Sequence, residues 1–154
     1  DVNFSPEDAR AHHATLVGEV VRMLCAGVVH GDLSEFNILL AHADVDGQGT
    51  DVPVIIDLPQ AVDAAGNNHA QRMLLRDVAN LRNFFGQFAP ELRATQYGPE
   101  IWSLYQSGLL SNETPLSGRY APERVDVDMQ AVLREIDDAR DEDAARRLRM
   151  ATAA

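Results

Sequence analysis

Lysine is absent from this sequence: all thirteen basic residues among its 154 are arginine. No step of its chemistry can therefore rest on a side-chain ammonium. Cysteine occurs once, at Cys25, so an internal disulfide is excluded and a cytoplasmic, reducing compartment is the expectation. Cys25 falls in an apolar helical stretch and is expected to be a buried, structural thiol. Long hydrophobic runs are missing too. The stretches Ile38-Leu39-Leu40-Ala41 and Val54-Ile55-Ile56 are far shorter than the roughly 18–20 residues of a membrane helix. The opening residues, Asp1-Val2-Asn3-Phe4-Ser5-Pro6, lack the basic and apolar regions of a signal peptide. They also lack an initiator Met, from which the chain is expected to be a piece of something longer. Positive charge is in deficit, with a formal net charge of −11, which speaks against a nucleic-acid-binding surface spread over the chain. What is present is a 45% hydrophobic composition and enough length for one compact domain with its own core.

The periodicity is mainly helical. Ser5-Pro6-Glu7-Asp8 reads as a helix start: a capping hydroxyl, a proline at the first helical position and two acids in the first turn. Leu16, Val20, Met23 and Leu24 then mark an apolar face from about 9 to 26, and Gly27 is a natural stop. Val28-Val29-His30 reads as a short extended piece, 31–37 as irregular, and Ile38-Leu39-Leu40 as a strand. Asp44 to Asp51 reads as a turn and Val52 to Asp57 as a second strand, the two strands forming a small hairpin. Helices are expected at about 68–88, with Met73, Leu74, Val78, Leu81, Phe84 and Phe85 inward, at about 99–106, with Ile101, Trp102 and Tyr105 on one side, and at 128–150. The charge on that last helix, including Asp137, Asp138, Asp141 and Glu142, is read as a solvated face. Asp44-x-Asp46-x-Gln48 with Gly47 has the outline of a calcium loop but lacks its closing glutamate, so it reads as a turn. His12 and His13 are adjacent and cannot share a helix face as a metal pair.

The stretch that carries chemistry is His30-Gly31-Asp32-Leu33-Ser34-Glu35-Phe36-Asn37-Ile38-Leu39. Asp-x4-Asn before an apolar strand is the spacing of a kinase catalytic loop. There, one carboxylate meets the attacking hydroxyl while an oxygen ligand nearby holds a Mg²⁺ ion. Alone the pattern is weak. It gains weight from Val54-Ile55-Ile56-Asp57, a second strand ending in an acid, which is where kinases keep the aspartate that chelates the metal. Carboxylate and amide oxygens suit magnesium, with water and phosphate completing its shell.

These residues resemble the RIO kinases, a family of atypical serine/threonine kinases. Its catalytic loop reads Asp-Leu-Ser-Glu-Tyr-Asn and its metal strand Ile-Asp-x-x-Gln, against His-Gly-Asp-Leu-Ser-Glu-Phe-Asn and Ile-Ile-Asp-Leu-Pro-Gln-Ala-Val-Asp here. Leu75-Arg76-Asp77-Val78-Ala79-Asn80, ending in Phe84-Phe85, is similar to the helix that follows in that family. The likeness spans about residues 15 to 90. It implies an α+β, mainly helical fold, the C-terminal lobe of a protein kinase, with a small hairpin carrying the catalytic and metal-binding loops over residues 1–154. It implies Asp32 as the catalytic residue, Asn37 and Asp57 as metal ligands, and Ser34, Glu35, Asn37 and Asp57 as the nucleotide-binding set. ATP with Mg²⁺, or Mn²⁺ in its place, is the implied cofactor. A protein serine, or a ribosome-assembly factor, is the implied partner; neither a membrane nor direct nucleic-acid binding is expected.

Beside this, plainer roles stand open. His30 reads as a structural histidine bonded to backbone. Ser34 is either a phosphate contact or a turn residue, and Glu35 braces the loop. Asp77 either bonds the catalytic-loop backbone or is a solvated surface acid. Gln60 matches the family without a derivable role. Gly31 replaces the arginine that precedes the catalytic aspartate in ordinary kinases, and the Ala-Pro-Glu at 121–123 lies on the wrong side of the helix at 68 to mean what it does there. A Gly-x-Gly-x-x-Gly loop and a phosphate-pairing lysine, both required for turnover, are not in these 154 residues, so the chain alone is expected to transfer little phosphate. Two other functions are open: a small-molecule phosphotransferase of the aminoglycoside or choline kinase type, and a pseudokinase binding module docking through the acidic last helix.

Overall fold

The structure is a computed structural model that describes residues 4–45, 48–56, 62–64, 69–120 and 127–152. The chain divides into two units, Asp1–Tyr120 and Ala121–Ala154.

In the first unit, helix α1 spans Pro6–Cys25. Ser5 is its cap: the Ser5 hydroxyl accepts a hydrogen bond from the Asp8 N–H at 3.1 Å, satisfying a donor that has no partner inside the helix. Ala9, His13, Leu16, Val17, Val20, Val21 and Leu24 form its buried stripe. Gly27, at φ +88°, reverses the chain in the left-handed region that only glycine enters cheaply. Strand β1 (Val28–Val29) follows and pairs antiparallel with β4 (Val62–Asp63), Val28 opposite Asp63.

Strands β2 (Ile38–Val45) and β3 (Gln48–Ile55) form the hairpin, in register from Ile38 opposite Ile55 to Val45 opposite Gln48. Both are longer than the sequence suggests, because Asp44, Val45 and 48–51, expected in the turn, sit in the ladder. The polar composition there misled: pairing across the two strands outweighs the turn propensity of the individual residues. Asp46 and Gly47, between the paired ends, lie outside the described residues, as do Asp57, Gln60 and the Ala-Pro-Glu at 121–123.

Helix α2 (Ala70–Phe85) is the centre of the unit, packed against α1 on one side and α3 on the other. It therefore buries a wide arc: Leu74, Leu75, Val78, Ala79, Leu81 and Phe85, together with Asp77 and Arg82. Met73 and Phe84, expected on its apolar face, are half-buried at its edge. Phe4 meets Phe84 and Phe88 edge-on, at ring separations of 6.4 and 5.4 Å. A short 3₁₀ turn over Pro90–Ala94 leads to α3 (Tyr97–Gln106), which buries Ile101 and Trp102. Gly98 lets α3 approach closely, since a Cβ there would sit 3.1 Å from Leu75 Cδ2. Cys25 corrects an expectation: it is exposed, one step past Leu24 around the helix and off the buried stripe. Among the described residues of the second unit there is one helix, α4 (Val127–Thr152). Among the described residues, no helix is long and apolar enough to cross a membrane.

Candidate active site

The loop between β1 and β2 is held from below by α2. Asp77 is 1% exposed, and its carboxylate straddles the loop backbone. Oδ2 accepts from the Gly31 N–H at 2.8 Å and Oδ1 from the Leu33 N–H at 3.0 Å. One turn along the same helix face, the Asn80 amide donates to the Leu33 carbonyl at 2.8 Å. Leu33 itself is fully buried, so the loop is pinned by an apolar anchor and three hydrogen bonds. Gly31, at φ +88°, supplies the backbone turn that aims its N–H at Asp77. Between the two anchored residues Asp32 is exposed. That is the arrangement a catalytic carboxylate needs: a fixed main chain and a side chain open to reactants.

Burial raises the Asp77 pKa, and this is the largest influence on it; the N–H bonds from Leu33 and Gly31 and the neighbouring His30 pull it down, while Asp32 pushes it up. The two N–H donors facing the carboxyl, from Gly31 and Leu33, favour its ionised form.

The second half of the loop closes on itself. Ser34 caps a 3₁₀ turn over Glu35–Asn37, accepting from the Phe36 N–H at 3.3 Å. Its hydroxyl donates to Asn37 Oδ1 at 3.1 Å, and the Asn37 N–H returns to the Ser34 carbonyl at 3.0 Å. Asn37 is 7% exposed, whereas Phe36 beside it is 82% exposed. The Asn37 carbonyl accepts from the Ile56 N–H at 2.7 Å, which brings the end of the loop to the end of β3. His30 does the same for its beginning: Nε2 lies 3.2 Å from the Ile56 carbonyl, and Nδ1 accepts from the Asp32 N–H at 3.2 Å.

Asp32, Ser34 and Asn37 thus share one loop, with Asp77 beneath it. Asp57 and the Glu35 side chain lie outside what the structure describes, so the metal set is represented here by Asn37 alone. Among the described residues, no cluster of three His, Cys, Asp or Glu could hold a metal ion by itself. The hard oxygen of the Asn37 carboxamide fits a magnesium ion that takes its remaining ligands from phosphate and water. The open question on Asp77 resolves in favour of the loop-bonding role. Asn80 was given no role from the sequence; the signal was a pair of small polar residues, Asp77 and Asn80, one turn apart at the border of the apolar arc of α2.

An aspartate presented on an anchored loop, followed by a buried asparagine and a hairpin, is the catalytic-loop arrangement of the kinase class. A model of the RIO domain family matches residues 1–97, more than half of the sequence, and the chain belongs to that family. The curated relatives agree. It is 42% identical over 71 residues to the RIO-type serine/threonine-protein kinase Rio1 of Haloferax volcanii, a match covering 46% of this chain and 21% of the relative. It is 37% identical over 96 residues to the serine/threonine-protein kinase RIO2 of Caenorhabditis elegans, covering 62% of this chain and 16% of that one. The chain thus spans about a fifth of the length of the curated relatives it matches. Among solved structures, it is similar to a crystal structure of the Rio2 kinase–ADP/Mg²⁺–phosphoaspartate complex from Chaetomium thermophilum, with a TM-score of 0.49 and 24% identity over 90% of this chain and 42% of that chain.

Proposed function

We propose that this chain supplies the catalytic and metal-binding loops of a RIO-type phosphotransferase, which moves the γ-phosphoryl of Mg-ATP to a protein serine or threonine, or to water. The carrying observation is the anchored loop: Asp77 and Asn80 fix the backbone on both sides of Asp32 and leave its carboxylate exposed. In that role Asp32 accepts or orients the proton of the attacking hydroxyl. Asn37 and Asp57 hold Mg²⁺, with Mn²⁺ as a substitute; the ion neutralises charge on the phosphates. Ser34 orients the Asn37 amide rather than reaching phosphate, because its hydroxyl is engaged with Oδ1 and with the Phe36 N–H. Glu35 completes the nucleotide-side set. A single cysteine, without a disulfide partner, accords with a cytoplasmic setting.

The test is incubation of the full-length protein with Mg²⁺ and γ-labelled ATP beside Asp32→Asn and Asp57→Asn. Loss of label transfer or phosphate release by at least about a hundredfold in both variants is expected. Turnover indifferent to both changes would refute the assignment. The 154 residues alone, which include no lysine to pair with phosphate, are expected to show negligible turnover.

A further inference from the structure

Phe36 is 82% exposed, the most exposed large apolar side chain among the described residues. The loop that carries it does bury apolar groups: Leu33, three residues earlier, is fully buried. Nor is Phe36 a loose tip. Its N–H is held by the Ser34 hydroxyl at 3.3 Å, and the next N–H, that of Asn37, by the Ser34 carbonyl at 3.0 Å, within the 3₁₀ turn over Glu35–Asn37. Successive residues of such a turn point about 120° apart. A turn that buries Asn37, at 7% exposure, therefore sends the phenyl ring outward on a fixed backbone.

A single exposed apolar side chain is ordinary on a protein surface. One held rigidly beside an exposed reacting carboxylate is placed where an acceptor must lie. Asp32 is four residues before Phe36, and four residues of chain span at most about 14 Å. An extended acceptor segment, rising about 3.3 Å per residue, covers that distance in about four residues. A segment whose hydroxyl sits at Asp32 thus brings one of its nearby side chains within reach of the ring. The ring carries no charge and no hydrogen-bonding group, so what it recognises is apolar surface. No cation lies between His30 and Asn37, and Asp32 and Glu35 make this stretch acidic, which disfavours an acidic acceptor segment.

We propose that Phe36 is a specificity-determining residue of the phosphoryl-transfer site: its exposed ring seats an apolar side chain lying within about four residues of the serine or threonine whose hydroxyl meets Asp32. This rests on the function proposed above.

The experiment uses the full-length protein, γ-labelled ATP with Mg²⁺, and serine peptides that carry leucine, alanine or glutamate at each position within about four residues of the serine. For wild type, Phe36→Ala and Phe36→Tyr it reads kcat and KM for each peptide, KM for ATP, phosphate release to water, and the melting temperature. Wild type should favour leucine over alanine at one or two positions by roughly tenfold in kcat/KM, the worth of partly burying a phenyl ring. Phe36→Ala should erase that preference through the peptide KM and leave KM for ATP, phosphate release and melting temperature unchanged. Phe36→Tyr keeps the ring and should keep the preference. The proposal is overturned if wild type shows no apolar preference, if it phosphorylates none of the peptides while releasing phosphate, or if Phe36→Ala retains the preference. It is equally overturned if Phe36→Ala raises KM for ATP or lowers the melting temperature, since the ring then packs against the nucleotide or another part of the same protein. If turnover ignores Asp32→Asn and Asp57→Asn, the phosphotransfer reading fails and takes this role with it. Turnover that needs both acids but shows no preference dependent on Phe36 defeats this inference alone.

Discussion

Removal of the Asp77 carboxylate is the most direct probe of how the loop is built. In Asp77→Ala both the Gly31 and Leu33 N–H groups lose their acceptors, and Leu33 is wholly buried, so water does not readily replace the lost oxygen. Hydrogen bonds to a charged group are each worth about 1.5–3 kcal/mol. Against them stands the cost of burying the carboxylate, the same cost that raises its pKa. The net loss should be about 2–4 kcal/mol, a large part of the roughly 5–15 kcal/mol typical of a folded domain. Asp77→Asn keeps one acceptor oxygen but turns an NH₂ group against the other N–H, and should lose about 1–3 kcal/mol. Urea unfolding measures both, as a shift in midpoint with unchanged slope. Hydrogen exchange adds location: the amides of Gly31 and Leu33 should lose protection while those of Leu74 to Leu81 keep theirs. A loss below about 0.5 kcal/mol in Asp77→Ala, within the scatter of surface substitutions, would refute the view that this carboxylate holds the loop.

Other outcomes follow from the same structure. His13 is buried and its pKa is lowered from 6.5 to about 4, by burial first and by the Arg82 charge second. The unfolded chain takes up this proton more readily than the folded one, so the group's contribution is present above about pH 6.5 and is lost as pH falls towards 4. The loss should approach roughly 3 kcal/mol, and the melting temperatures of wild type and His13→Phe should diverge over that window. Ser5→Ala removes the cap of α1 and should cost about 1 kcal/mol in thermal or urea unfolding. Gly118→Ala should cost more than Gly27→Ala although both sites have positive φ: a Cβ at Gly118 would lie 2.9 Å from Tyr97 Cζ, whereas at Gly27 it meets nothing within 4 Å. About 1–2 kcal/mol is expected at Gly27, and more at Gly118, from paired denaturation curves.

Much of this was legible from residues alone, for identifiable reasons. Ser5-Pro6 marks the start of α1 because capping and the proline preference are local effects, and Gly27 ends it for the same reason. The catalytic loop is legible because its chemistry prescribes residue types at set spacings. Less legible was whatever depends on partners distant in sequence. The hairpin ladder runs through residues that read as a turn, because pairing across two strands outweighs the propensity of each. Cys25 looked inward because its neighbours are apolar, yet which side of α1 is buried is decided by α2 and α3. Asn80 has no signature of its own; its bond to Leu33 exists only once α2 lies beneath the loop.

The order in which the chain leaves the ribosome acquires a meaning from this arrangement. Gly31 is made 46 residues before the carboxylate that anchors it. At about 5–20 residues per second, the segment bearing Asp32 and Asn37 waits roughly 2–9 s for Asp77. Closing so long a loop also costs entropy, which the packing of α2 against α1 helps to offset. The site therefore cannot order until α2 has been made, and a chain halted before α2 would hold every reacting side chain of the loop without the floor that aligns them.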